Sequence, residues 1–197
     1  LGLRLIGYGY PTDFFISTRD GAGYTFNEKF RRQYYPRQGS VRGHPFRIDR
    51  RKRPNTTRIF VLGESAALGT PNPSFGFTRI WTVLLRQQYP RREFEVINVA
   101  MRGINSHIIR DIAGDCTRHE PDLFLMYAGN NEVVGFGAPD PDSSLAAQNL
   151  ALIRTTQALK RTRLAQLLQA GLQSLRRKAP TKQDMEFFRQ HRLALGK

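Results

Sequence analysis

Three short apolar runs alternate with two helical patterns between residues 58 and 127, and this alternation constrains the fold more than any other feature. The runs are residues 59–62, 94–99 and 123–127, and the first ends directly at a glycine. Continuous apolar runs of this length are typical of parallel strands that are buried on both faces. The order strand, helix, strand, helix, strand at this spacing therefore predicts an α/β fold with a parallel βαβαβ unit, in which the first strand is central.

The two intervening segments have the spacing of helices. Residues 76–89 carry apolar side chains every three to four positions until Pro90 stops the pattern. Asn105 or Ser106 can cap the second helix, whose apolar residues at 108, 109, 112, 113 and 116 share one face. Both helices are therefore expected as crossover connections of the sheet.

The positive charge of the chain lies in its flanks. Residues 1–57 hold 12 Lys and Arg against 4 Asp and Glu, residues 58–140 hold 8 against 9, and residues 141–197 hold 11 against 3, so that the net charges are +8, −1 and +8. The expected organisation follows these divisions: a basic irregular lead-in over 1–57, the α/β domain over 58–140, and a basic amphipathic helical region over 141–197.

The basic flanks leave more than one partner open. In residues 143–178 leucines share one helical face and arginines surround them, so packing on the sheet or on another helix is expected, with a membrane surface or a protein partner as the alternative. Nucleic acid is not expected, because the chain has no recognised nucleic-acid-binding motif. Reversing the charges of Arg50, Arg51 and Arg53 is expected to leave the stability of the domain unchanged.

The single cysteine and the first residues give little further information. Cys116 cannot form a disulfide within the chain, and no cluster of residues suggests a metal or another cofactor. The apolar stretch of residues 1–6 is too short to cross a bilayer, which takes about 20 residues. Two interpretations stay open for it: the end of a membrane anchor that precedes Leu1, or a buried N-terminal turn.

The loops after the three predicted strands carry chemically distinctive residues. Ligands of parallel sheets bind at the carboxyl ends of the strands, so these loops are expected to meet. Ser65 follows the first strand, Gly103 the second and Asn131 the third. Each is an ordinary turn residue by itself, but together they offer a hydroxyl, a backbone N–H that no side chain shields, and a carboxamide donor.

The sequence of these loops resembles the SGNH (GDSL-like) hydrolase family. Residues 63–69, Gly-Glu-Ser-Ala-Ala-Leu-Gly, are similar to the block Gly-Asp-Ser-Leu-Ser/Thr-x-Gly, with Glu for Asp and Ala-Ala for Leu-Ser/Thr. Asn98 and Gly103 are similar to a second block, Asn-x-Gly-x-x-Gly, in which Ala100 replaces the first glycine. Residues 129–132 meet the third block, Gly-x-Asn-Asp/Glu, in full.

The resemblance implies a fold, an activity and roles for three residues. The fold would be a three-layer α/β/α, flavodoxin-like parallel sheet, and the activity would be hydrolysis of an ester without a cofactor. Ser65 would be the nucleophile, while the N–H groups of Ser65 and Gly103 and the carboxamide of Asn131 would bind the oxyanion. Residues 104–107 and 129–135 also resemble a bacterial subgroup in which this domain precedes tetratricopeptide repeats.

The family's Asp-x-x-His block, which supplies the general base, is absent from the sequence. The four histidines are His44, His107, His119 and His191. Asp115 and His119 are expected on a helix surface, and His191 is a weak substitute for the base. The sheet is also short of the family's five strands. Either the domain is incomplete at its C-terminus and continues beyond Lys197, or it is a degenerate, non-catalytic domain used for binding. In both cases the chain is expected to be inactive.

Overall fold

The computed structural model describes residues 2–35, 45–132 and 150–175, and it divides the chain into two compact units. One unit is Tyr10–Ala158, and the other is Leu1–Gly9 with Leu159–Lys197. The first unit contains strands β1 (Phe15–Ser17), β2 (Gly23–Phe26), β3 (Arg47–Asp49), β4 (Thr56–Gly63), β5 (Glu93–Asn98) and β6 (Leu123–Tyr127). The helices are α1 (Gly2–Leu5), α2 (Ser65–Leu68), α3 (Phe77–Gln88), α4 (Ser106–Cys116), α5 (Leu150–Lys160) and α6 (Arg163–Leu175).

A parallel sheet forms from the three predicted strands, in the order β5-β4-β6. In its register Ile59 of β4 lies opposite Val96 of β5 and Leu123 of β6. The prediction of parallel strands with the first one central is therefore confirmed. The carboxyl ends of all three strands, and the loops that follow them, lie at one edge of this sheet.

The lead-in predicted to be irregular contains a second, antiparallel sheet of order β1-β2-β3. Phe15 pairs with Phe26, and Tyr24 pairs with Ile48. Strands of three or four residues are too short to show an alternating pattern, which is why the sequence did not reveal them. A short 3-10 turn, Phe30–Gln33, follows the second strand.

The main hydrophobic core joins the lead-in to the parallel sheet. Its residues come from four places: the lead-in, strands β4 and β5, the loop after β5, and the apolar face of α4. Ile108, Ile109 and Ile112 of α4 are buried in it as their spacing predicted. The lead-in residues in this core are Phe14, Phe15, Phe26, Phe30, Tyr34 and Ile48. The lead-in is therefore a structural part of this core.

Two aspartates of α4 fasten the lead-in to the helix. The backbone N–H of Phe14 donates to the Asp115 carboxylate at 2.5 Å, and the Tyr34 hydroxyl donates to Asp111 at 2.7 Å. Both aspartates are buried. The expectation that Asp115 lies on a helix surface is therefore wrong, because its carboxylate accepts the lead-in's backbone hydrogen bond instead of facing water.

Arg58 and His119 occupy the opposite edge of the sheet from the three loops. The Arg58 side chain is 1% exposed and donates to the Glu95 carboxylate at 2.7 Å and to the His119 carbonyl at 2.8 Å. His119 is buried between the rings of Phe15 and Tyr24, which corrects its expected surface position. Burial, helped by the charges of neighbouring arginines, lowers the pKa of His119 to about 4.

The remaining helices leave apolar side chains in water. α3 forms as predicted, but Ile80 and Leu84 are more than half exposed, and Thr78 is its buried residue. The predicted helical region 143–178 is observed as α5 and α6, which residues 161–162 connect, whereas residues 143–149 and 176–178 lie outside the described part of the chain. None of the described helices combines the length and the apolar character that crossing a membrane would need.

Candidate active site

The loop after β4 places Ser65 at the edge of the sheet where the three strands end. Gly63 ends β4 with a φ of 154°, and a Cβ there would lie 2.1 Å from the carbonyl oxygen of Tyr127 at the end of β6. Glycine is therefore required for the close approach of the two strand ends. Ser65 begins α2 and is partly exposed.

The buried Glu64 carboxylate joins the Ser65 loop to the Asn131 loop. Its side chain is 0% exposed, and its two oxygens accept different backbone hydrogen bonds. The Gly129 N–H donates to Oε1 at 3.3 Å, and the Asn131 N–H donates to Oε2 at 3.0 Å. The residue directly before Ser65 thus determines the position of the backbone of the third loop.

The carboxamide of Asn131 connects the third loop to the second. Its Nδ2 donates to the carbonyl oxygen of Ile104 at 2.9 Å, one residue beyond Gly103. A carboxamide nitrogen has two hydrogens, so one N–H of Asn131 remains for another acceptor. Each of the three predicted residues therefore takes part in, or lies next to, a hydrogen bond that joins these loops.

Other polar side chains hold the same edge together. The Glu132 carboxylate accepts the Ser106 N–H and the Ser106 hydroxyl, both at 2.8 Å, where α4 begins. A carboxylate at this position also suits the positive end of the helix dipole. Asn98, at the end of β5, donates to the Ala67 carbonyl at 2.9 Å and accepts the Ala100 N–H at 3.1 Å. These contacts fix the loops on either side of Ser65.

Two backbone N–H groups at this edge are available for a ligand. Among the described residues, the N–H groups of Ser65 and Gly103 donate to no protein acceptor. Gly103 has a φ of 61°, a left-handed conformation that favours glycine, and its carbonyl faces Arg31. The convergence of Ser65, Gly103 and Asn131 on one point stays a prediction.

The described histidines differ in their relation to Ser65. His119 contacts the beginning of β4, about seven residues and therefore roughly 20 Å of strand from Ser65. His107 is the second residue of α4 and lies at the same edge as the three loops. His107 is not among the residues predicted for the site, although its position just after the second loop was a usable signal. His44 and His191 lie outside the described residues.

Sequence reasoning also missed the role of Glu64. The signal for it was available, because a carboxyl side chain directly after a buried strand needs hydrogen-bond donors. No group of three or more His, Cys, Asp or Glu suitable for a metal ion occurs within the described ranges. Neither the known family models nor the curated proteins include a match to this sequence.

Proposed function

We propose that this chain carries the nucleophile and the oxyanion-binding part of an SGNH-type serine hydrolase that acts on an acyl or acetyl ester. The observation that carries the proposal is the pair of links from Glu64 to the Asn131 backbone and from the Asn131 carboxamide to Ile104. They bring together three loops whose residues resemble that family's blocks, the third of them in full. The finer architecture, a three-layer α/β/α sheet, belongs to the same proposal.

In this proposal the Ser65 hydroxyl adds to the ester carbonyl carbon. The carbonyl oxygen becomes an oxyanion and accepts hydrogen bonds from the Ser65 and Gly103 N–H groups and from the Asn131 carboxamide. The alcohol then leaves with a proton, and water hydrolyses the acyl-serine. One oxyanion donor contributes about 2.7–4 kcal/mol to lowering the barrier. The hydroxyl proton needs a base, and an unassisted serine is a poor nucleophile.

The test supplies the missing base from solution. The 197-residue chain is assayed with 4-nitrophenyl acetate, with and without added imidazole, and the Ser65→Ala variant measures the imidazole background. We expect little turnover without imidazole and an excess rate with imidazole that requires Ser65. Asn131→Ala should lower that excess about a hundredfold, whereas Asn130→Ala, its exposed neighbour, should leave it unchanged.

Two results would contradict different parts of this proposal. Equal imidazole-assisted rates for the native chain and Ser65→Ala would refute the nucleophile. Strong Ser65-dependent turnover without imidazole would instead show that the chain contains its own base. His107 would then be the first residue to replace, because of its position at the loop edge.

A catalytically degenerate binding module is the second candidate. One observation favours it: the Asn131 carboxamide already donates to the Ile104 carbonyl, which leaves one hydrogen instead of two for an oxyanion. Such a module would bind an acyl ester or carboxylate at this edge without turnover. Two results together would identify a binding module. The chain would bind an ester and lose that binding in Asn131→Ala, and it would show no Ser65-dependent hydrolysis in imidazole.

A further inference from the structure

α6 is an amphipathic helix that turns its apolar face to solvent. Its leucine positions fall within an arc of about 140° at 100° per residue. Leu168 is 61% exposed, and Leu164 and Leu172 are exposed to a similar degree, whereas Gln166 is 6% exposed. A surface helix whose outer side faces only water normally buries its leucines against the protein and exposes its glutamines. The orientation of α6 is the reverse.

The buried side of α6 is held in place by the N-terminal segment of its own unit. Gly9 lies against the side chains of Gln166 and Arg163, and a Cβ at Gly9 would come 2.5 Å from the Gln166 amide oxygen. The Arg163 guanidinium donates to the Tyr8 carbonyl at 3.3 Å. These contacts direct the leucines away from residues 8–9. At the end of α1 in the same unit, Leu5 is 83% exposed, and Ile6, which follows it, is 76% exposed.

The charged residues in the described part of this unit have one sign. The described residues of this unit, 2–9 and 159–175, include the cationic residues Arg4, Lys160, Arg161 and Arg163 and no aspartate or glutamate. The sequence continues after α6 with three further cations at 176–178. A unit that exposes leucines and whose described charged residues are all cationic is complementary to anionic lipid, where each Lys or Arg near the surface strengthens binding about fivefold.

We propose that α6, together with the exposed end of α1, binds the surface of a bilayer that contains anionic lipid. The helix would lie in the interface with its leucines among the acyl chains and the cations at the phosphates. It has 13 residues and a length of about 20 Å, shorter than the roughly 30 Å hydrocarbon core, which suits lying on the bilayer. This inference does not depend on the proposed hydrolase activity.

The experiment measures partition of the full chain onto vesicles of phosphatidylcholine with phosphatidylglycerol and onto vesicles of phosphatidylcholine alone. We expect binding to the anionic vesicles that weakens as salt is raised. The double variant Leu164→Gln and Leu168→Gln should lose at least about tenfold in partition. The matched control, Ile80→Gln with Leu84→Gln, removes equally exposed side chains from α3 and should bind as the native chain does.

The same variants separate membrane binding from other occupants of the leucine face. Because the leucines are exposed, the α6 double variant should melt within about 2 °C of the native chain. A fall of several degrees would show that the leucines pack within the protein and would overturn the proposal. If the native chain is a dimer that the α6 variant converts to monomer, and the native chain does not bind vesicles, the leucine face binds a second copy. That result would also overturn the proposal. Equal binding to both vesicle types would refute the assignment to anionic lipid. A loss of binding in the α3 control as large as in the α6 variant would refute the assignment to α6.

Discussion

Replacing Glu64 should loosen the loop edge and lower the stability of the whole unit. The two oxygens of its buried carboxylate accept different N–H groups, so Glu64→Gln keeps an acceptor for one and presents an NH2 donor to the other. Hydrogen bonds to charged groups contribute about 1.5–3 kcal/mol each. We expect the free energy of unfolding to fall by about 2 kcal/mol in Glu64→Gln and by about 3–4 kcal/mol in Glu64→Ala.

These losses are measurable by thermal and urea unfolding. A chain of this length loses about 2–4 °C per kcal/mol, so Glu64→Gln should melt about 4–8 °C lower. Amide hydrogen exchange supplies the local readout, because the Gly129 and Asn131 N–H groups should exchange faster in Glu64→Ala. Glu132→Gln is the matched control: it removes an exposed carboxylate that holds the same loop, and should cost less than about 1 kcal/mol.

One combination of results would refute this role of Glu64. If Glu64→Gln melted at the native temperature and the two amides exchanged at native rates, the carboxylate would not be what joins the loops. If Glu132→Gln lowered the free energy of unfolding as much as Glu64→Gln does, burial of the carboxylate would not determine how much stability is lost.

Two further predictions concern the opposite edge and the lead-in. The pKa of His119 is about 4 in the folded state and 6.5 as an ordinary value, so the unfolded chain takes up this proton first as pH falls. The free energy of unfolding should therefore be highest above pH 6.5 and fall by about 2–3 kcal/mol towards pH 4. Urea titrations of His119→Gln over the same pH range should lack this decrease. Arg50 donates to Gly21, Tyr24 and Ser17, so Arg50→Glu should lower the melting temperature by several degrees, in contrast to the expectation from sequence, whereas the neighbouring Arg51→Glu should not.

The parallel sheet could be predicted because its signals are long and local. Strands β4, β5 and β6 are runs of five to eight residues, and the isoleucines of α4 repeat at helical spacing. Both patterns follow from burial on a periodic backbone, so they can be found without knowing the partners. The placement of the three loops at one edge then followed from the parallel strands alone.

The features that the sequence did not reveal depend on distant partners. The antiparallel sheet has strands too short for a pattern, and the burial of Asp115 depends on the backbone of Phe14, 101 residues away. Ile80 and Leu84 have the spacing of a buried face but are exposed. Periodicity shows that a helix has an apolar face, and it does not show what covers that face.

The core shared by the lead-in and α4 has a consequence for the timing of synthesis. Phe14 and the other lead-in aromatics leave the ribosome before α4, because the residue that accepts the Phe14 N–H lies 101 positions later. At about 5–20 residues per second, the lead-in waits roughly 5–20 seconds before its partner helix exists. During that interval the lead-in aromatics can contact one another but not the α4 face that covers them in the folded unit, so the nascent chain exposes apolar surface.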